Sequence, residues 1–242
     1  MEDRNVALIT GANKGIGYEI ARQLGREGYT VLVGARDEAR GRSAEEKLRS
    51  EHFDARFVAL DVTVPASITA AAERIEREVG RLDVLVNNAG IVGDRNPPSA
   101  CDLDEVRRVY DVNVFGPIRV TQAMLPLLRR ARPPARIVMV SSGVGSMTQH
   151  ADFDGPLGWL NSIGYASSKA ALDMVTVQFA KELRAIGIKV NAADPGYTAT
   201  DLNGHRGPQP VEVGARSSVQ LALLGEDGPT AGFFDKEGPV PW

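Results

Sequence analysis

Val6-Ala7-Leu8-Ile9-Thr10-Gly11-Ala12-Asn13-Lys14-Gly15-Ile16-Gly17 opens on an unbroken apolar run and turns through three glycines, after which Ile16, Ile20 and Leu24 recur on one helical stripe. A run without polar alternation suits a strand buried on both faces, and the stripe suits a helix lying on that sheet. The same unit repeats along the chain. Apolar runs follow at Thr30-Val31-Leu32-Val33, Phe57-Val58-Ala59-Leu60, Val84-Leu85-Val86, Ile137-Val138-Met139-Val140 and Lys189-Val190-Asn191-Ala192, with a short strand near Gly232-Phe233-Phe234. Helices fill the gaps, among them a stripe of Ile68, Ala72, Ile75 and Val79 and a last helix over 211–224. Such alternation predicts an α/β chain: one doubly wound parallel sheet with helices on both faces and right-handed crossovers. The Gly/Pro-rich stretches 150–160 and 203–210 read as loops, and residues 1–242 as one domain.

Composition narrows the class. The 242 residues are 43% hydrophobic and 24% charged, ordinary globular usage, so disorder is not the main state. A net charge of −3 without blocks of like charge gives no footprint for nucleic acid or an anionic membrane. No apolar stretch approaches the roughly 18 residues of a membrane span, and the start Met1-Glu2-Asp3-Arg4 carries no secretory pattern. Cys101 is the only cysteine, which excludes an intrachain disulfide and a thiolate metal cluster. His52, His150 and His205 fall at no metal-ligand spacing, and there is no Gly-x-Ser-x-Gly elbow. A cytoplasmic protein acting on a small molecule, without metal, is the expectation.

In a doubly wound sheet, ligands bind beyond the carboxyl ends of the strands, so the chemistry is sought there. The turn Gly11-Ala12-Asn13-Lys14-Gly15-Ile16-Gly17 lets a pyrophosphate approach the amino end of the first helix, where open N–H groups and the helix dipole favour an anion. After the second strand come Ala35 and Arg36, where an acidic residue would grip the ribose hydroxyls of NAD. Arg36 together with Lys14 instead suits a 2′-phosphate and favours NADPH, although Asp37 and Glu38 follow directly. Asn87-Asn88-Ala89-Gly90 closes the fourth strand. Ser141-Ser142 closes the fifth, and Tyr165 and Lys169 lie one helical turn apart.

Taken in order, the glycine turn, Asp61 with Val62 after the third strand, Asn87-Asn88-Ala89-Gly90, Asn113, Ser142, Tyr165 with Lys169, and Pro195-Gly196 with Thr200 resemble the short-chain dehydrogenase/reductase family over essentially the whole chain. Asn13-Lys14-Gly15, Ala35-Arg36-Asp37, Pro195-Gly196-Tyr197 and the tail ending in Trp242 look like its NADPH-dependent carbonyl reductase branch. The resemblance implies a Rossmann fold and reduction of ketones or aldehydes by hydride transfer. It makes Asn113, Ser142, Tyr165 and Lys169 the catalytic set. The cofactor positions it implies are Gly11, Asn13, Lys14, Gly15, Ile16, Gly17, Arg36, Asp61, Val62, Asn87, Ala89, Gly90, Tyr165, Lys169, Pro195, Gly196, Thr198 and Thr200. Ser141 and Ser142 would point in opposite directions on a strand, and the family pattern favours Ser142. Tyr165 is the expected proton donor, its phenol made more acidic by the Lys169 ammonium. Two other readings stay open: an NADP-sensing binding protein without turnover, and an NAD(H)-linked alcohol dehydrogenase.

Ser142 and Tyr165 stand 23 positions apart, a longer gap than in the common tetrameric reductases and a shorter one than in the animal carbonyl reductases. Phe153, Leu157 and Trp159 in that stretch are expected to wall the substrate pocket, and 197–210 to form a lid. Leu172, Val175, Phe179, Leu183 and Ile186 read as a stripe for sheet packing or a subunit contact, with monomer and homo-oligomer both open.

Overall fold

The computed structural model describes residues 4–242, and Met1-Glu2-Asp3, with the reading that their acidic start is not a leader, lie outside the described residues. In chain order the elements are β1 (Val6–Thr10), α1 (Gly15–Arg26), β2 (Thr30–Ala35), α2 (Glu38–Ser50), β3 (Ala55–Ala59), α3 (Pro65–Glu78), β4 (Val84–Asn87), α4 (Leu103–Tyr110), α5 (Gly116–Leu128), β5 (Arg136–Val140), α6 (Met147–His150), α7 (Ile163–Leu183), β6 (Lys189–Ala193), α8 (Val211–Gly214), α9 (Arg216–Ala222) and β7 (Phe233–Phe234). All pairings in the sheet are parallel, in the order β3-β2-β1-β4-β5-β6-β7. The chain order reverses between β1 and β4, which opens a crevice at their carboxyl ends.

Alternate residues of each strand feed opposite layers. Val6 and Leu8 of β1 join Leu85, Ile137 and Val190 under α3, α5 and α7, while Ala7 and Ile9 join Val31, Val33, Val86 and Val138 under α1, α2 and α9. Each face therefore has its own apolar core, which is why the runs show no polar alternation. Of the predicted α3 stripe, Ile68 and Ile75 are buried and Val79 is already past the helix end.

Three details differ from the sequence expectation. The 211–224 helix is two short helices meeting at Ala215, and Gly214 at the end of α8 lies so close to Thr198 that a side chain there would strike it. Ile186 falls outside α7, in a tight turn closed by Gly187 at φ 76°, and is exposed instead of continuing the stripe. α4 and α5 run on as one rod through a widened turn, Asp111–Phe115, that no periodicity announces. That turn carries Asn113.

Candidate active site

The glycine turn is fixed from below by the end of β4. Thr10 Oγ1 accepts the N–H groups of Asn88 at 2.9 Å and Ala89 at 3.0 Å, and Asn88 Nδ2 donates to the carbonyls of Thr10 at 2.8 Å and Gly11 at 3.3 Å. Contact this close leaves no space for side chains. A Cβ on Gly11 would sit 3.0 Å from Ala89 Cα, and one on Gly17 would lie 2.6 Å from the Gly11 carbonyl and strike the Asn88 amide as well. Gly11 and Gly15 also hold φ of +65° and +57°, where glycine is favoured. Helix α1 then begins at Lys14 with no side-chain cap, so its first N–H groups face the crevice.

Asn88 was missed as a site residue; its signal is a polar pair at a strand end, of which only one member faces the turn. The other, Asn87, is buried and donates to Thr121 Oγ1 at 3.0 Å, so its side chain belongs to the core beneath α5 rather than to the crevice.

At the far end of β2 the charges sort themselves. Arg36 is exposed directly after the strand. Asp37, the acid that argued for NAD, caps α2 by accepting the Arg40 N–H at 2.9 Å and pairs with the Arg40 guanidinium at 2.9 Å, which hold its carboxyl below the usual range. Its oxygens are thus engaged with the helix, not with a ribose. Lys14 Nζ pairs with Asp201 at 2.5 Å, and Asp201 also bonds His205 Nε2 at 2.8 Å. A hollow of about 240 Å³ lies between the glycine turn and α2, lined by Asn13, Lys14, Tyr18, Arg40, Ser43 and Lys47. Three cations line it, so a phosphate fits it better than a sugar diol does.

Asp61 is held by its own turn, accepting from the Thr63 N–H at 2.9 Å and the Thr63 hydroxyl at 2.7 Å, and Val62 packs beneath Gly116. Beyond β6, Gly196 takes φ +67° and its N–H bonds Asp194 Oδ1 at 2.8 Å. The following segment is stitched to itself. Gln209 Nε2 donates to Thr198 Oγ1 at 2.8 Å and to the Pro195 carbonyl, Ala199 N–H to the Gln209 carbonyl at 2.9 Å, and Asn203 Nδ2 to the Thr198 carbonyl at 2.8 Å. Thr200 lies over Gly15, with its methyl 3.7 Å from where a Cβ there would stand. The 197–210 segment thus closes over the glycine turn.

The four residues of the expected catalytic set share one floor. Asn113 is fully buried; its Oδ1 accepts the Ile91 N–H at 2.9 Å and its Nδ2 donates to the Ile91 carbonyl at 2.9 Å and to Ser168 Oγ at 3.0 Å. Ser142 caps the turn after β5, its Oγ accepting the Val144 N–H at 3.3 Å, and its hydroxyl lies near enough to the Tyr165 phenol to draw its pKa down. Lys169 Nζ donates to the Val140 carbonyl at 2.7 Å and lies 5.7 Å from the Tyr165 ring centroid. Gly90 faces this group: a Cβ there would stand 3.4 Å from Asn113 Oδ1 and 3.7 Å from Lys169 Nζ. Its missing side chain leaves a space bordered by a lysine and an asparagine. Ser141 turns the other way, buried, with its hydroxyl towards the Lys169 carbonyl at 3.5 Å.

One expectation fails. The resting Tyr165 phenol is less acidic than a free one, not more; burial, with the Asp194 charge adding to it, pushes it up to about 12, and the nearby Ser142 hydroxyl only partly opposes this. Lys169 is itself pushed down to about 8 by burial, against the pull of Asp173 and Asp194. The two loop aromatics are also misplaced by sequence reading. Phe153 and Trp159 are 84% and 77% exposed, and the Trp159 indole N–H donates to the Pro156 carbonyl at 2.9 Å. Successive tight turns, Gly155 N–H to Asp152 and Gly158 N–H to Gly155, close the loop on itself, so the rings point outward.

The short chain dehydrogenase family model matches residues 5–210. The chain belongs to the short-chain dehydrogenase family. Among the family's curated members it is 34% identical over 278 residues to carbonyl reductase (NADPH) 1 of Mus musculus, covering 99% of each chain. It is 35% identical over 291 residues to (+)-neomenthol dehydrogenase of Arabidopsis thaliana, covering 98% of this chain and 97% of the relative. The NADPH-bound carbonyl reductase from chicken fatty liver superposes with a TM-score of 0.86 at 30% identity, over 99% of both chains. In each case the match extends over nearly the full length of both chains.

Proposed function

We propose that this chain is an NADPH-dependent reductase of ketone or aldehyde carbonyls, with Tyr165 as general acid. The observation that carries the reading is the shared floor: Asn113, Ser142, Tyr165 and Lys169 meet at the strand ends, next to the gap left by Gly90 and the glycine-lined turn. The residues fit the cofactor. The open amino end of α1 receives a pyrophosphate, and the hollow lined by Lys14, Arg40 and Lys47, with Arg36 nearby, receives a 2′-phosphate. Asp37, tied to α2, leaves no acid in place for an unphosphorylated ribose. The gap left by Gly90 beside Asn113 and Lys169 would take the nicotinamide half, with Ala89, Gly196, Thr198 and Thr200 assigned to it by the family pattern.

Bound there, NADPH supplies a hydride to the carbonyl carbon. The protein's task is the oxygen, on which negative charge develops. Ser142 offers a donor without changing charge, and Tyr165, kept protonated by burial across the physiological range, holds the proton that completes the alcohol. The phenol is a weak acid at rest and transfers its proton when the developing alkoxide and the nearby Lys169 ammonium both favour it. Asn113 is wholly engaged with Ile91 and Ser168, so it fixes the widened turn against α7 and with it the position of the floor.

Purified protein assayed with a panel of ketones, NADPH beside NADH, tests the reading. Turnover favouring NADPH and lost in Tyr165→Phe is the expected result. Tight NADPH binding with no turnover on any ketone would replace the enzyme with a sensor.

A further inference from the structure

The chemistry above uses Ser142, Tyr165 and Lys169 and leaves a buried carboxylate with no task. Asp173 stands on α7 one turn beyond Lys169, on the same helical face, and is 5% exposed. The turn that carries Ser142 presses on it from above: a Cβ on Gly145 would lie 2.7 Å from Asp173 Oδ2. Neither carboxylate oxygen meets the distance and angle of a full hydrogen bond, and only the Ser141 hydroxyl and the Lys169 ammonium draw its pKa down; burial outweighs both and pushes the carboxyl up to about 7, so its charge develops as pH rises through neutrality. A buried acid is ordinarily neutralised or held by several donors, because taking its charge out of water is costly.

The groups around it are few. From α7 come Lys169 and Tyr165; from the end of β5, the Ser141 hydroxyl; from the end of β6, Asp194, with Asp235 behind it. Lys169 is the one cation among these. Asp194 is already committed, since the N–H groups of Gly196 and Gly143 hold its carboxylate. Asp173 has no backbone N–H of this kind, only the Ser141 hydroxyl, and its charge acts on the lysine.

Resting on the reading of Tyr165 and Lys169 given above, we propose that Asp173 is a positioning residue of the reaction, whose buried carboxylate holds Lys169 in its ammonium form beneath Tyr165. The helix thereby carries an acid–lysine–tyrosine column at four-residue spacing, Tyr165, Lys169 and Asp173, with the negative end under the Ser142 turn. The lysine alone, at this depth, would give up its proton more readily. Keeping it charged keeps the phenol able to release its own proton as the alkoxide forms.

The test is Asp173→Asn, which preserves shape and removes charge. Ketone reduction is followed from about pH 6 to about pH 9, bracketing the Lys169 transition. Near pH 6 the variant is expected to match the wild type within about 2-fold, while the alkaline fall in kcat moves down by about one pH unit, giving a loss of about 5-fold at pH 8 that approaches about 10-fold near pH 9. The KM for NADPH stays the same. A second readout needs no turnover. A lysine whose folded pKa is depressed holds fewer protons folded than unfolded, so stability rises with pH above the folded value. In the cofactor-free variant that rise in melting temperature begins about one pH unit lower than in the wild type. Superimposable pH profiles and melting curves would overturn the proposal whatever the absolute rate. If the wild type turns over no ketone, the reductase reading fails, and the melting curves alone then decide Asp173. Should Asp173→Asn not fold, Asp173→Ser carries the same comparison.

Discussion

The floor of the crevice and its rim are built by opposite means. On the floor, Thr10, Asn88, Asn113 and Lys169 bridge residues far apart in sequence, and Gly11, Gly17 and Gly90 mark contacts too close for any side chain. On the rim, 151–160 is closed by bonds between residues a few positions apart, and its large aromatic side chains, Phe153 and Trp159, are exposed. Long-range polar ties over a dense core fix geometry to the precision that proton transfer needs. Short-range turns leave a surface free to vary, which is where selectivity between ketones is expected to reside.

The largest expected break in the contrast comes from Tyr165→Phe. It should lower kcat by about 10²- to 10⁴-fold while NADPH affinity, measured by fluorescence titration, changes little. A loss of binding of similar size would mean that Tyr165 holds the cofactor and does not supply the proton. Gly17→Ala comes next and attacks the floor by sterics. Overpacking against the Gly11 carbonyl and Asn88 should cost about 1–3 kcal/mol of stability, seen as a lower melting temperature, with NADPH binding lost in the same variant.

Cofactor choice sharpens the contrast from the other side. Arg36→Glu should cut the preference for NADPH over NADH by about 10- to 100-fold, read as the ratio of the two kcat/KM values, because a charged contact to the 2′-phosphate becomes a repulsion. An unchanged ratio would assign the phosphate to Lys14, Arg40 and Lys47 alone. In the wild type, reduction should fall as pH rises past about 8, where Lys169 loses its proton, and should show no break from Tyr165, whose phenol titrates near 12. The smallest effect belongs to the rim: Trp159→Ala should alter kcat/KM for small ketones by less than about 3-fold, since the ring is 77% exposed.

The same contrast explains what could be read in the sequence. Strand runs and glycine spacing report burial on both faces and backbone approach, and these forces act at fixed positions, so the strands, the doubly wound parallel sheet and the glycine turn were legible, while the catalytic set came from the family resemblance. Three features were not. The outward turn of Phe153 and Trp159 depends on loop bonds that any polar sequence can make. The pairing of Lys14 with Asp201, 187 positions away, follows from how the 197–210 segment folds back over Gly15. The direction of the Tyr165 shift depends on how deeply the phenol is desolvated, which the Tyr165–Lys169 spacing does not contain.

The central claim is that hydride leaves bound NADPH for a carbonyl carbon while Tyr165 supplies the proton. NADPH deuterated at the transferable position, incubated with the protein and a prochiral ketone, tests it directly by mass analysis of the alcohol. One deuteron on the carbinol carbon with the wild type, and almost none with Tyr165→Phe at equal cofactor occupancy, is the predicted result. Saturated NADPH binding with no label in any product would contradict it and leave a nucleotide-binding protein that performs no reduction.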